Sequence, residues 1–134
     1  MANELGRMSD APLFSACPRE ERELLQSMAV PMRIGAGNDV LGQGDFGSTI
    51  GVLLEGQASV WKDGEHIIDL TPGDVFGELA LLAPPSSAGH RTAAIKADSE
   101  VRVDTVSARD LNNELSALPN VADAIRGLAD TRES

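Results

Sequence analysis

The sequence predicts a mainly β fold: an antiparallel β-roll of the jelly-roll kind, with one helix before it and two after it. Three observations carry this prediction. Turn signals recur about every ten residues between positions 31 and 106, the runs between them are short and β-prone, and none is separated by the helical crossover that parallel strands require. At 134 residues with 42% hydrophobic side chains, positions 1–134 read as a single domain with its core at about 12–128.

The first element is a helix over about 18–29. Pro18 suits a first turn, Glu20, Glu21 and Glu23 form a solvated start near the positive end of the dipole, and Leu24, Leu25 and Met28 make an apolar stripe. Strands follow near 32–34, 39–41, 49–54, 57–62, 65–70, 92–97 and 101–106. They are divided by Gly35-Ala36-Gly37-Asn38, Gly42-Gln43-Gly44-Asp45, Glu55-Gly56, Asp63-Gly64 and Pro72-Gly73-Asp74. Asp63-Gly64 is the strongest local signal, a two-residue hairpin turn whose positions can both need positive φ. After Val106, Ser107 serves as an N-cap with Asp110 three residues on, and Leu111 and Leu115 share one face. Pro119 starts a second helix to about 129, with Val121, Ala122, Ile125 and Leu128 as its apolar positions. Leu111, Leu115, Leu118, Ala122 and Ile125 recur at spacings of three and four, a stripe that fits pairing in a homodimer as well as packing on the roll.

Charge and composition exclude several function classes. Eleven basic against twenty-one acidic residues give a net charge of -10, which opposes the phosphate contacts that dominate nucleic-acid binding, so no DNA partner is expected. Glu78 and Pro84-Pro85 interrupt the longest apolar stretch, and nothing approaches the roughly 20 residues of a membrane span. Met1 to Asp10 lacks the basic start and apolar block of a secretory signal, and the single cysteine, Cys17, has no disulfide partner within the chain; both predict a cytoplasmic protein. No adjacent histidine or lysine lowers the Cys17 pKa, so a packed, idle thiol is expected. His66 and His90 are far apart and lack clustered carboxylate or cysteine partners, so no metal is expected. Trp61, beside the hairpin, is expected to cover the sheet rather than to stack a ligand.

The chemistry is concentrated in Pro72-Gly73-Asp74-Val75-Phe76-Gly77-Glu78-Leu79-Ala80-Leu81-Leu82 and, further on, His90-Arg91-Thr92-Ala93-Ala94-Ile95. Gly77 lets a strand turn sharply into a short helix and lets a ligand approach the backbone. N–H groups freed at that helix start, from about Leu79 to Leu81, point together and favour an anion. Arg91 can add a charge-assisted, bidentate contact to a phosphate. Glu78 would repel a phosphate but suits a neutral hydroxyl such as a ribose 2′-hydroxyl.

This segment resembles the phosphate-binding cassette of cyclic nucleotide-binding domains, the β-roll of cAMP receptor protein and of protein kinase A regulatory subunits. Gly42-Gln43-Gly44-Asp45-Phe46-Gly47, followed by Val52-Leu53-Leu54-Glu55-Gly56-Gln57-Ala58-Ser59-Val60, is similar to a second stretch of that family, in the family's order. The resemblance implies that Glu78 takes the ribose and that Arg91 and the backbone near Ala80 take the cyclic phosphate. Phe76, Gly77, Leu79, Leu81, Thr92 and Ala93 complete the implied ligand-binding set. Val60, Ile68, Leu70, Phe76 and Leu79 are the implied apolar walls for the base, and the last helix its lid. The Thr92 hydroxyl permits cGMP, while cAMP is the preferred ligand. The implied protein is a regulatory sensor, not an enzyme and without a cofactor, whose C-terminal helices move against an unidentified protein partner.

The chain departs from the family pattern in four ways. The stretch from Leu79 to His90 is longer than is common in the family, His90 stands where a proline often precedes the arginine, Ser48-Thr49-Ile50-Gly51 replaces a more acidic and aromatic pattern, which with no tyrosine and three phenylalanines limits stacking on the base, and the chain ends where many bacterial relatives continue into a helix-turn-helix. The first two departures motivate an alternative, a ligand-free cassette in which Glu78 and Arg91 form a structural ion pair and the domain acts as a protein interaction module. A cupin-type metal enzyme would need clustered histidines and carboxylates on neighbouring strands, which the sequence lacks.

Overall fold

The computed structural model describes residues 6–41, 46–47, 49–62, 64–76, 89–90 and 94–133. Two 3-10 turns, Met8–Asp10 and Pro12–Phe14, lead into α1 (Arg19–Met28), with Pro18 at its N-cap. The strands are β1 (Val30–Ile34), β2 (Asp39–Leu41), β3 (Phe46–Gly47), β4 (Thr49–Glu55), β5 (Ala58–Lys62), β6 (Glu65–Leu70), β7 (Val75–Phe76), β8 (Gly89–His90), β9 (Ala94–Ala97) and β10 (Val101–Ser107). The chain closes with α2 (Ala108–Asn113), a 3-10 turn at Leu115–Ala117 and α3 (Pro119–Glu133).

Every pairing among the described strands is antiparallel. One sheet runs β1-β10-β4-β7, the second β2-β9-β5-β6, and β3 pairs with β8 alone. The predicted roll with flanking helices is the fold observed. Pro31 lies inside β1, which starts two residues earlier than the pattern predicts. A proline is tolerated there because β1 is an edge strand and needs no donor on its outer side. The β5–β6 hairpin closes with Lys62 opposite Glu65, and Gly64 takes a φ of 83°. Strands β3, β7 and β8, each two residues long, and the N-terminal 3-10 turns are too short to leave a period in the sequence.

Two cores share the β4 strand. Val52 and Leu54 face a helical layer that also buries Phe14, Leu25, Leu118 and Ile125, whereas Leu53, between them, faces the interior of the roll with Leu70, Ile95 and Val103. This is the two-residue alternation of a strand covered on both faces. Fully burying each of the large side chains contributes roughly 1.5–3 kcal/mol relative to exposure.

The C-terminal stripe belongs to the first of these cores. Leu111, Leu118, Ala122 and Ile125 are buried and Leu115 packs at their edge, so the chain's own core takes up the stripe that the sequence left open to subunit pairing. Ser107 caps α2 as expected, its hydroxyl accepting the N–H of Arg109 (3.1 Å) and of Asp110 (3.4 Å). Glu21 corrects the expectation of a solvated acidic helix start. Glu20 and Glu23 are exposed, but Glu21 is only 6% exposed and turned into the helical layer.

Candidate functional site

The strand that leads into the cassette is anchored at its start to β4. Gly73, at φ 101°, gives its N–H to the Leu53 carbonyl (2.8 Å), and Leu53 gives its own to the Asp74 carbonyl (3.0 Å). The Asp74 carboxylate closes the turn by accepting the Thr71 N–H at 2.8 Å. Pro72-Gly73-Asp74 is thus an anchored turn that delivers β7 onto β4, with Phe76 opposite Gly51 and Val75 opposite Val52.

Gly51 is a site-shaping residue that the sequence reading did not single out. A Cβ at position 51 would lie 2.4 Å from Cζ of Phe76, so only a glycine leaves room for the ring to lie across β4. The available signal was a glycine within an otherwise apolar β run. Phe76 itself is 2% exposed and packs in the roll interior. Val75, its neighbour, points the other way into the helical core.

On the return side, β8 pairs with β3, Phe46 opposite His90 and Gly47 opposite Gly89. The end of the glycine-rich stretch 42–47 and the residues directly before Arg91 therefore lie side by side, although more than forty positions separate them in the chain. Of the predicted ligand-binding residues, Phe76 is described. Gly77, Glu78, Leu79, Ala80, Leu81, Arg91, Thr92 and Ala93 lie outside the described residues, as do the short helix expected after Gly77 and positions 42–45.

The expected apolar wall is placed in part. Val60 lies opposite both Ile68 on β6 and Ile95 on β9, and Leu70 lies opposite Ala58. Leu70 and Ile95 are buried, Val60 is half-buried, and Ile68 remains 45% exposed. The inner face of this sheet is thus filled at one end and leaves apolar surface accessible at the other. Trp61 lies on the opposite face, as expected of a residue covering the sheet. Its Nε1–H donates to Ser59 Oγ (2.8 Å), which in turn donates to Asp98 (3.0 Å), while Lys96 sits 5.6 Å from its ring centre. His66 packs edge-on to the same indole and contacts Asp69 at 2.7 Å.

Two buried carboxylates hold the helical layer together, one joining it to the roll and the other joining α1 to α3. Asp104 on β10 accepts the Met8 N–H and the Gln26 side-chain amide, each at 3.1 Å. Glu21 accepts the backbone N–H groups of Asn120 (2.9 Å) and Val121 (3.0 Å), donors that the first turn of α3 leaves without an intrahelical partner. Burial pushes the Glu21 pKa up, but the hydrogen bonds from the Asn120 side chain and from the Val121 and Asn120 backbone outweigh it and hold the carboxyl below its ordinary value. Cys17 is buried as expected. Burial, and then the Glu21 carboxylate, raise its pKa against the opposing effect of Arg22.

Comparison with known proteins agrees with this geometry. Residues 31–117 match the family model of the cyclic nucleotide-binding domain. A cAMP-dependent protein kinase regulatory subunit of Mycosarcoma maydis is 34% identical over 119 residues, 85% of this chain and 23% of that protein. The catabolite activator protein of Thermus thermophilus superposes with a TM-score of 0.79 at 26% identity, over 91% of this chain and 58% of that one. The N-terminal domain of a transcriptional regulator from Streptomyces coelicolor A3(2) gives 0.73 at 27% identity, over 96% and 94%. The chain belongs to the cyclic nucleotide-binding domain family. It spans about a quarter of the length of the curated relatives it matches.

Proposed function

We propose that this domain binds a cyclic nucleotide, with cAMP preferred over cGMP, and acts as a regulatory sensor without catalysis of its own. In this reading Arg91 and the cassette backbone near Ala80 hold the cyclic phosphate and Glu78 holds the ribose, with Thr92 beside them. The observation that carries it is the meeting of β3 and β8, which sets the two family-like stretches next to one another at the exit of the 77–88 segment. The anchored turn at Gly73 and the Gly51–Phe76 fit support it at the entrance. The regulatory relative named for cAMP dependence favours that nucleotide.

The output is a movement of α2 and α3. Strand β7 supports this, because Val75 lies in the helical core and Phe76 in the roll core on consecutive residues. A shift at the end of β7 therefore acts on both packings at once. For ligand to drive the helices it must bind one arrangement more tightly than the other.

Calorimetric titration with cAMP and then cGMP, on protein denatured and refolded to strip co-purified ligand, tests the reading. Saturable one-to-one heat is expected, and Arg91→Ala should weaken it by at least about tenfold. Absence of heat with both nucleotides would favour the interaction module that the longer segment and His90 suggest. Unchanged affinity in the Arg91→Ala protein would remove the phosphate assignment.

A further inference from the structure

Between α1 and the N-terminal segment, three guanidinium groups converge. Arg19, Arg22 and Glu23 lie three and four positions apart, on one side of the first turns of α1. The N-terminal segment folds back so that Arg7 and Ser9 close the opposite wall, and these five residues line a cavity of about 350 Å³. The placement is electrostatically unfavourable by itself, since two of the cations sit at the positive end of a helix dipole. Among the described residues, three cations face a single lining carboxylate, in a chain of net charge -10.

Their internal partners leave the cavity short of acceptors. Arg19 Nε donates to Glu23 at 3.0 Å, and Arg7 reaches Asp10 only at 3.9 Å, between exposed side chains. The Nε of Arg22 is buried with no hydrogen-bond partner among the described residues, a donor withdrawn from water without an acceptor among them. An oxyanion in the cavity supplies that acceptor, and a guanidinium can meet a tetrahedral oxyanion with two parallel donors.

We infer that this cleft is an anion site for a phosphate-sized tetrahedral oxyanion carried by a small phosphorylated molecule, held by Arg22 with Arg19 and Arg7 around it. It lies between α1 and the N-terminal segment, and none of its lining residues belongs to the cassette stretches 72–82 and 90–95. A bound anion bridges Arg7 to α1, the helix whose Glu21 caps α3.

The test is a titration of isotope-labelled protein with inorganic phosphate at constant ionic strength, followed in ¹H–¹⁵N spectra at the Arg22 Nε–H and the backbone amides of Ser9 and Arg19. Saturable shifts at these groups are expected. Arg22→Gln should weaken them at least about tenfold, and Arg19→Gln, at an exposed side chain whose loss leaves the fold intact, at least about threefold. Arg91→Ala should leave the titration unchanged, which separates this site from the cassette. Non-saturating shifts, equal affinity for acetate, affinity unaltered by both arginine variants, or loss of binding in the Arg91→Ala protein would each overturn the assignment.

Discussion

The carboxylate of Glu21 caps a helix at the far end of the chain, ninety-nine residues from its first partner: Asn120 gives it both a backbone N–H and its side-chain amide, and Val121 adds a third donor. The first turn of α3 thus has two of its orphan backbone donors satisfied from α1. Glu21→Ala should cost about 2–3 kcal/mol at neutral pH, as loss of a cap and of charge-assisted bonds at a buried position, and Glu21→Gln roughly half of that. Urea unfolding at pH 7 measures both. A loss below about 0.5 kcal/mol for Glu21→Ala would show that the cap does not hold α3.

The same carboxylate makes stability depend on pH. Its folded pKa lies below the unfolded one, so the folded state favours the ionised form. The contribution is complete above the ordinary carboxylate pKa and is lost as pH falls through that value towards the folded one. Unfolding curves between neutral pH and the acid range should converge for wild type and Glu21→Gln as Glu21 becomes protonated. Parallel curves would place the linkage on other carboxylates.

Cys17 should resist alkylation in the native state. Burial raises the pKa of its thiol and blocks access to it, and the Glu21 carboxylate opposes thiolate formation further. Iodoacetamide at pH 8 should modify it at least about tenfold more slowly than a free thiol, and the rate should rise in Glu21→Ala, where α1 and α3 are less firmly joined. Labelling at the free-thiol rate would contradict its burial in the helical core.

Where a residue's role followed from local pattern, the sequence was sufficient: the hairpin at Asp63-Gly64, the Ser107 cap and the alternating strands are all in place. Glu21 was legible as an acid near a helix start but not as the cap of another helix, because its partners are distant in the chain. Gly51 is the same case, since the need for glycine arises only when β7 lays Phe76 across β4. The Leu111 to Ile125 stripe had the right period, but period alone does not say whether a face meets its own roll or a second subunit. At the site, the resemblance named the cassette residues, whereas strand pairing at its two ends is what the structure adds.

Gly51→Ala should therefore act on both stability and the site. The added methyl meets the Phe76 ring at a fully packed position, a small-to-large change that costs about 1–3 kcal/mol. If Phe76 sets the start of the cassette, cAMP affinity should fall as well, measured by the calorimetric titration under conditions where the variant is folded. Full stability would show that the ring moves aside at no cost, and lost stability with full affinity would show that Phe76 does not set the cassette.

Val75 provides a way to separate sensing from output. Its side chain lies in the helical core, while Phe76 beside it lies in the roll, so shortening Val75 alters the coupling strand only on the helix side. Val75→Ala should cost about 1–2 kcal/mol of stability yet leave cAMP affinity within about threefold of wild type. The difference in hydrogen exchange of α3 amides between free and cAMP-saturated protein should shrink. That combination would mean that the end of β7 carries the signal from cassette to helices, because binding survives while its effect on the second core is lost. An undiminished exchange response in the Val75→Ala protein would instead place the coupling elsewhere, with the direct covalent path from β9 through β10 into the Ser107-capped α2 as the next element to test.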